Sequence, residues 1–117
     1  MDRKKLTGRA GEAEAAKYLS DKGFKITGLN WSCRFGEIDV IAQKDGYIAF
    51  VEVKTRENSE LAEAREFVTL SKQRKLRAAA SIWLSTHETG LQPRFDVMEI
   101  YTDAQPHIIN HIENAFE

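Results

Sequence analysis

Asp45-Gly46, set between two runs rich in β-branched and aromatic side chains, constrains this chain more than any other pair of neighbours. An Asp-Gly step favours the left-handed backbone of a tight hairpin turn, and residues 36–42 and 47–54 supply the two strands it would join. Centring the loop there predicts antiparallel partners Ala42 with Ala49, Ile41 with Phe50, Val40 with Val51, Asp39 with Glu52, Ile38 with Val53 and Glu37 with Lys54. Side chains alternate along a strand, so Ile38, Val40, Ala42, Ala49, Val51 and Val53 share one face, which is expected in the core. The other face carries Ile41 and Phe50 near the turn. Farther from it come Asp39 against Glu52 and Glu37 against Lys54.

Opposed β-carbons lie about 4.5 to 5.5 Å apart, where like charges destabilise a sheet. A carboxylate pair at that spacing is explained by a divalent cation, because magnesium and manganese take carboxylate and carbonyl oxygens as ligands. Lys54 would point its ammonium into the same site, an arrangement suited to phosphodiester hydrolysis. Two plainer readings fit the same residues. Glu37 and Lys54 could form an ordinary cross-strand ion pair, and Asp39 and Glu52 could splay into solvent, where screening weakens their repulsion.

A chain of 117 residues, 42% hydrophobic and 30% charged, is expected to form one domain around a single core. No apolar run approaches a membrane span and no signal-peptide pattern opens the chain, so a cytoplasmic location is expected. Cys33 is the single cysteine, and His87, His107 and His111 are not spaced with it as a zinc set. The formal net charge is -1, yet the basic residues cluster. Arg3, Lys4, Lys5 and Arg9 crowd one end, and Lys72, Arg74, Lys75 and Arg77 crowd a later segment. Such clusters are the footprint of phosphate-backbone binding, although a charged run on a helix is also simply its solvated face.

Residues 7–22 read as an amphipathic helix, with Thr7 as a candidate cap and Gly23 as its stop. Glu12 shares the inward face with Ala16 and Leu19, so it must either sit at the rim of the core or find a partner, for which the metal site is the candidate. A first strand is expected over 24–29. Residues 55–67 read as a short helix capped by Ser59 or as a loop beside the site. Residues 69–84 return to helix, with an apolar stripe of Leu76, Ala79, Ala80 and Trp83 and with Lys72 and Gln73 at its N-terminal end, facing the site. A strand is expected over 94–101, where Asp96 is assigned a structural or supporting role. An edge strand is expected over 106–112. The order helix, three strands, helix, two strands gives an α/β fold with a mixed sheet flanked by helices.

The segments Gly8 to Glu12, Gly36-Glu37-Ile38-Asp39, Phe50-Val51-Glu52-Val53-Lys54-Thr55-Arg56, Lys72 and Arg94-Phe95-Asp96-Val97 together resemble the YraN-type family of small bacterial proteins. That family is in turn similar to Holliday junction resolvases and to the PD-(D/E)xK, restriction-endonuclease-like nucleases. The resemblance implies that fold, a magnesium cofactor replaceable by manganese, and DNA, branched or duplex, as substrate. It implies Asp39, Glu52 and the backbone carbonyl of Val53 as metal ligands, Lys54 as the catalytic lysine and Glu12 as the glutamate of the N-terminal helix. Arg56, Lys72, Gln73, Arg74 and Lys75 would contact nucleic acid, and a homodimer is expected by analogy. The proline that gives the wider group its name is replaced by Ile38. Two rivals remain from the sequence: a DNA-binding module that does not cut, and a protein-interaction domain whose charges only solubilise it.

Overall fold

The computed structural model describes residues 3–57 and 68–117, with side chains from residue 9 onward. Its elements are α1 (Arg3–Asp21), β1 (Lys25–Cys33), β2 (Gly36–Lys44), β3 (Tyr47–Arg56), α2 (Leu70–Thr86), β4 (Gln92–Tyr101) and β5 (Ile108–Phe116). This is the expected order. Helix α1 opens at Arg3, so Thr7 lies inside it and is not its cap. At the other end Gly23 adopts φ +94, which glycine reaches without strain, while Phe24 N–H donates to Leu19 C=O and Gly23 N–H to Ser20 C=O. Both Leu19 and Phe24 are buried in the same cluster, so the chain reversal is fixed by packing as well as by hydrogen bonds. The candidate helix start at Ser59 lies outside the described residues.

The five strands lie in the order β1-β2-β3-β4-β5. The first three form an antiparallel meander, β3 and β4 run parallel, and β5 pairs antiparallel as an edge strand. A parallel neighbour requires a crossover, and the chain between β3 and β4 that includes α2 provides it. Asp45 and Gly46 both have positive φ, +52 and +83, as a two-residue hairpin turn demands. Helix α1 buries Ala15 and Leu19 against Val40, Ala42, Ala49, Val51, Met98 and Ile100. Helix α2 buries its predicted stripe, Leu76, Ala79, Ala80 and Trp83, against Ile38, Ile41, Ile48 and Phe50 on the opposite face. Phe50 lies between Trp83 and Phe95, at ring centroid distances of 5.8 and 5.9 Å. Among the described residues no helix is long and apolar enough to cross a membrane.

Two register expectations are corrected. The β2–β3 ladder makes the predicted pairs from Ala42–Ala49 to Val40–Val51 and ends there. Asp39–Glu52, Ile38–Val53 and Glu37–Lys54 are therefore not ladder pairs. Beyond that point β3 stays with β4 as far as Arg56–Tyr101, while β2 stays with β1 as far as Gly36–Cys33. The sheet forks. Ile38 accordingly packs in the α2-side core with Ile41, not on the α1 side with Val40. Asn30 of β1, at φ +51, lies between the Leu29–Val40 and Trp31–Ile38 pairs, and a left-handed residue there interrupts the regular alternation of faces.

Candidate metal centre

Asp39 sits at the fork. Where β2 leaves β3, the Val53 N–H loses its antiparallel partner, and Asp39 Oδ2 accepts it at 2.8 Å. A buried N–H left unmade would cost about 1 to 3 kcal/mol, so the carboxylate is built into the sheet as well as into the site. Helix α1 brings Glu12 to the same place. It can come close because Gly11 has no β-carbon: one added there would fall on Thr55 Oγ1 of β3.

Glu12 is only 8% exposed, and its Oε2 is buried with no hydrogen-bond partner. Carboxylate oxygens of Glu12, Glu37 and Asp39 all lie within 4.8 Å of one another. Burial pushes the Asp39 carboxyl up to about 7; the Val53 N–H opposes the rise, and the charges of Glu12 and Glu52, with a hydrogen bond to Glu12, reinforce it. Glu12 is also raised, first by burial and then by the charge of Glu37, against the pull of its hydrogen bond with Asp39 and of Arg9. The Glu12–Asp39 pair therefore releases a proton far closer to neutral pH than ordinary carboxyls do. An all-carboxylate set with one buried, unengaged oxygen fits a hard divalent cation.

A cleft of about 230 Å³ opens beside this acidic group, lined by Gly36, Glu37, Asp39, Glu52, Lys72, Lys75 and Leu76 but not by the buried Glu12. Asp39 and Glu52 thus share one cleft, as expected, although not as a ladder pair. Val53 meets Asp39 through its N–H. Lys54, expected in the same site, is half-buried on β3 and does not line the cleft; it makes no ion pair among the described residues, so the ordinary Glu37–Lys54 bridge is not formed either. The N-terminal end of α2 does face the site. It is capped by Thr69, whose Oγ1 accepts from Lys72 N–H at 3.2 Å, and Lys72 and Lys75 project at the rim.

The other expected contact residues are placed differently. Gln73 spends its amide on Val68 C=O at 2.9 Å, and Arg74 is exposed outside the cleft lining. Arg56 is paired with the buried Glu99 at 3.0 Å, an acid that also accepts from Asn110. Asp96, as assigned, is structural: Arg94 grips both its oxygens at 2.9 Å, and His111 and the Asn114 N–H bond to it at 2.8 and 3.0 Å. Sequence reasoning missed Glu37 as a member of the acidic group. Its signal was available, since Glu37 and Asp39 stand two apart on a strand and so favour one face.

Residues 11–100 match the family described as Uncharacterised protein family UPF0102. A UPF0102 protein of Caldanaerobacter subterraneus is 43% identical over 117 residues, covering 97% of this chain and 96% of that one. Another, from Stutzerimonas stutzeri, is 39% identical across 100% of this chain and 99% of its own length. A third, from Myxococcus xanthus, is 36% identical over 94% and 88% of the two chains. With a match that takes in α1 from Gly11, the forked hairpin, α2 and most of β4, the chain belongs to the UPF0102 family, the YraN-type group that its motifs resemble.

Proposed function

We propose that the protein is a magnesium-dependent nuclease that hydrolyses DNA phosphodiester bonds in the cytoplasm, with manganese as a working substitute. One observation carries this reading: Glu12, Glu37 and Asp39 converge, with a buried Glu12 oxygen that bonds to nothing, and two of the three, Glu37 and Asp39, line a cleft with Glu52, Lys72 and Lys75. When bound, the cation supplies a Lewis acid for the phosphate and lowers the pKa of a water. Asp39, Glu12 and Glu37 would hold it, with Glu52 among the residues that line the same cleft as Asp39 and Glu37.

The remaining work falls to side chains of the chain itself. Lys72 and Lys75 attract and seat the phosphate backbone at the rim. Lys54, two residues beyond Glu52 on β3, steadies the negative charge that develops as water oxygen bonds to phosphorus and the ester oxygen departs. The proton shared by Glu12 and Asp39 is given up when these groups act as ligands, because only the ionised carboxylates bind a cation well.

Cleavage of branched, duplex and single-stranded DNA with magnesium or manganese tests the reading. Glu52→Ala combined with Lys54→Ala is expected to abolish cutting, and undiminished activity in that double variant would sink the assignment. Calorimetric titration with manganese should show binding in the wild type and none in Asp39→Ala. DNA binding that is steeply salt-dependent, indifferent to metal and unaccompanied by cleavage would instead identify a non-cutting module.

A further inference from the structure

Phe35 is 42% exposed at the turn between β1 and β2, and the Arg34 guanidinium carbon stands 4.8 Å above the centre of its ring. The turn is continuous with the cleft. Gly36, the next residue, forms part of the cleft wall beside Lys75, and Glu37 follows in the acidic group. A ring that contributes nothing to either core cluster thus precedes by one residue the glycine that lines the cleft together with Lys72 and Lys75.

Aromatic rings beside cationic grooves bind unpaired nucleotides, because every base offers a face for stacking while its phosphate is held by charge. In an intact duplex those faces are already covered by neighbouring bases. We propose that Phe35, backed by Arg34, is a base-stacking platform that directs the cleft to DNA with unpaired nucleotides beside the phosphate to be cut, such as a flap or the open arms of a branch, over continuous duplex. This rests on the reading of the cleft as a DNA site and adds to it the class of strand selected.

The test measures binding in calcium, to suppress cutting, of a flapped duplex and a blunt duplex of equal length, with 2-aminopurine in the first unpaired position. Wild type is expected to prefer the flap and to quench the probe. Phe35→Ala should weaken flap binding by roughly 5- to 100-fold and abolish quenching, while blunt-duplex binding changes less than about twofold. Phe35→Trp should restore both, which a merely structural role for the turn would not predict. Equal losses on both DNAs, or no loss on either, would overturn the platform. In the latter case a Lys72→Ala, Lys75→Ala variant that loses binding to both would leave the DNA cleft itself standing. No binding of either DNA by wild type at low salt would overturn the two together.

Discussion

Asp39 serves two ends that pull its protonation in opposite directions. As acceptor for Val53 N–H it favours the carboxylate, while burial beside Glu12 and Glu52 favours the acid, and the second influence wins, at about 7. In the unfolded chain the same group titrates near 3.8. A carboxyl whose pKa is raised by folding contributes its stability in full below the unfolded value and loses it as pH climbs through the folded one. At pH 8 in chelator the protein should therefore bear the cost of a buried charge. Asp39→Asn keeps an oxygen for Val53 N–H and removes that charge, so it should be more stable than wild type at pH 8 by about 1 to 3 kcal/mol. The gain should vanish near pH 4, and manganese should stabilise wild type alone. Melts across this range check the prediction; a variant less stable than wild type at both ends would refute it. None of this balance was legible in residues 37–54 alone. The sequence places acids in the same neighbourhood, but whether they keep their protons depends on α1 arriving from elsewhere in the chain.

At the level of elements, the approach of α1 to β3 is set by one missing methyl group. Gly11 costs the helix about 1 kcal/mol of propensity relative to alanine, so Gly11→Ala would ordinarily stabilise it. Here the added β-carbon would overlap Thr55 Oγ1, and overpacking of this kind costs about 1 to 3 kcal/mol. The single variant should be destabilised and should lose manganese affinity, since α1 must lift Glu12 away from Asp39. Adding Thr55→Ala should recover much of both. Urea unfolding and calorimetry measure these effects, and additive losses in the double variant would show that the overlap is not the cause. Existence and order of elements were readable from periodicity: the Asp-Gly turn and the stripe on α2 are local patterns. The fork was not, because it arises from competition. Two acids oppose pairing at Asp39 and Glu52, β4 holds β3 on its other side, and β1, with the left-handed Asn30, stays paired with β2 through Ile38 and Glu37.

Across the whole molecule, hydrogen bonds to the buried Asp96 tie β5 to the sheet. Arg94 and Asp96 lie within β4, His111 and Asn114 on β5, and Asp96 is fully buried among them. Burial alone would raise the Asp96 carboxyl, but its bonds from His111, Arg94 and Asn114 N–H outweigh that and hold it below the ordinary range. Its stabilisation is thus present above the unfolded pKa of 3.8 and lost as pH falls through the lower folded value. Asp96→Asn removes the nearer of Arg94's two counter-charges, leaving only Glu113 at 3.9 Å, and should cost roughly 3 kcal/mol at pH 7, read as a fall in urea midpoint. If stability is unaffected, the network does not anchor the edge strand. Asp96 could be read from sequence as structural, but its partners on β5 could not, since nothing local to Phe95-Asp96-Val97 points to residues on another strand. The bond from Val53 to Asp39 also bears on how such a protein changes over descent. A lineage that abandoned the reaction would still be held to Asp or Asn at 39 by the needs of its sheet. Position 12 has no such tether, so an unrepaired change from Glu12 would be the earlier sign that the chemistry had been given up.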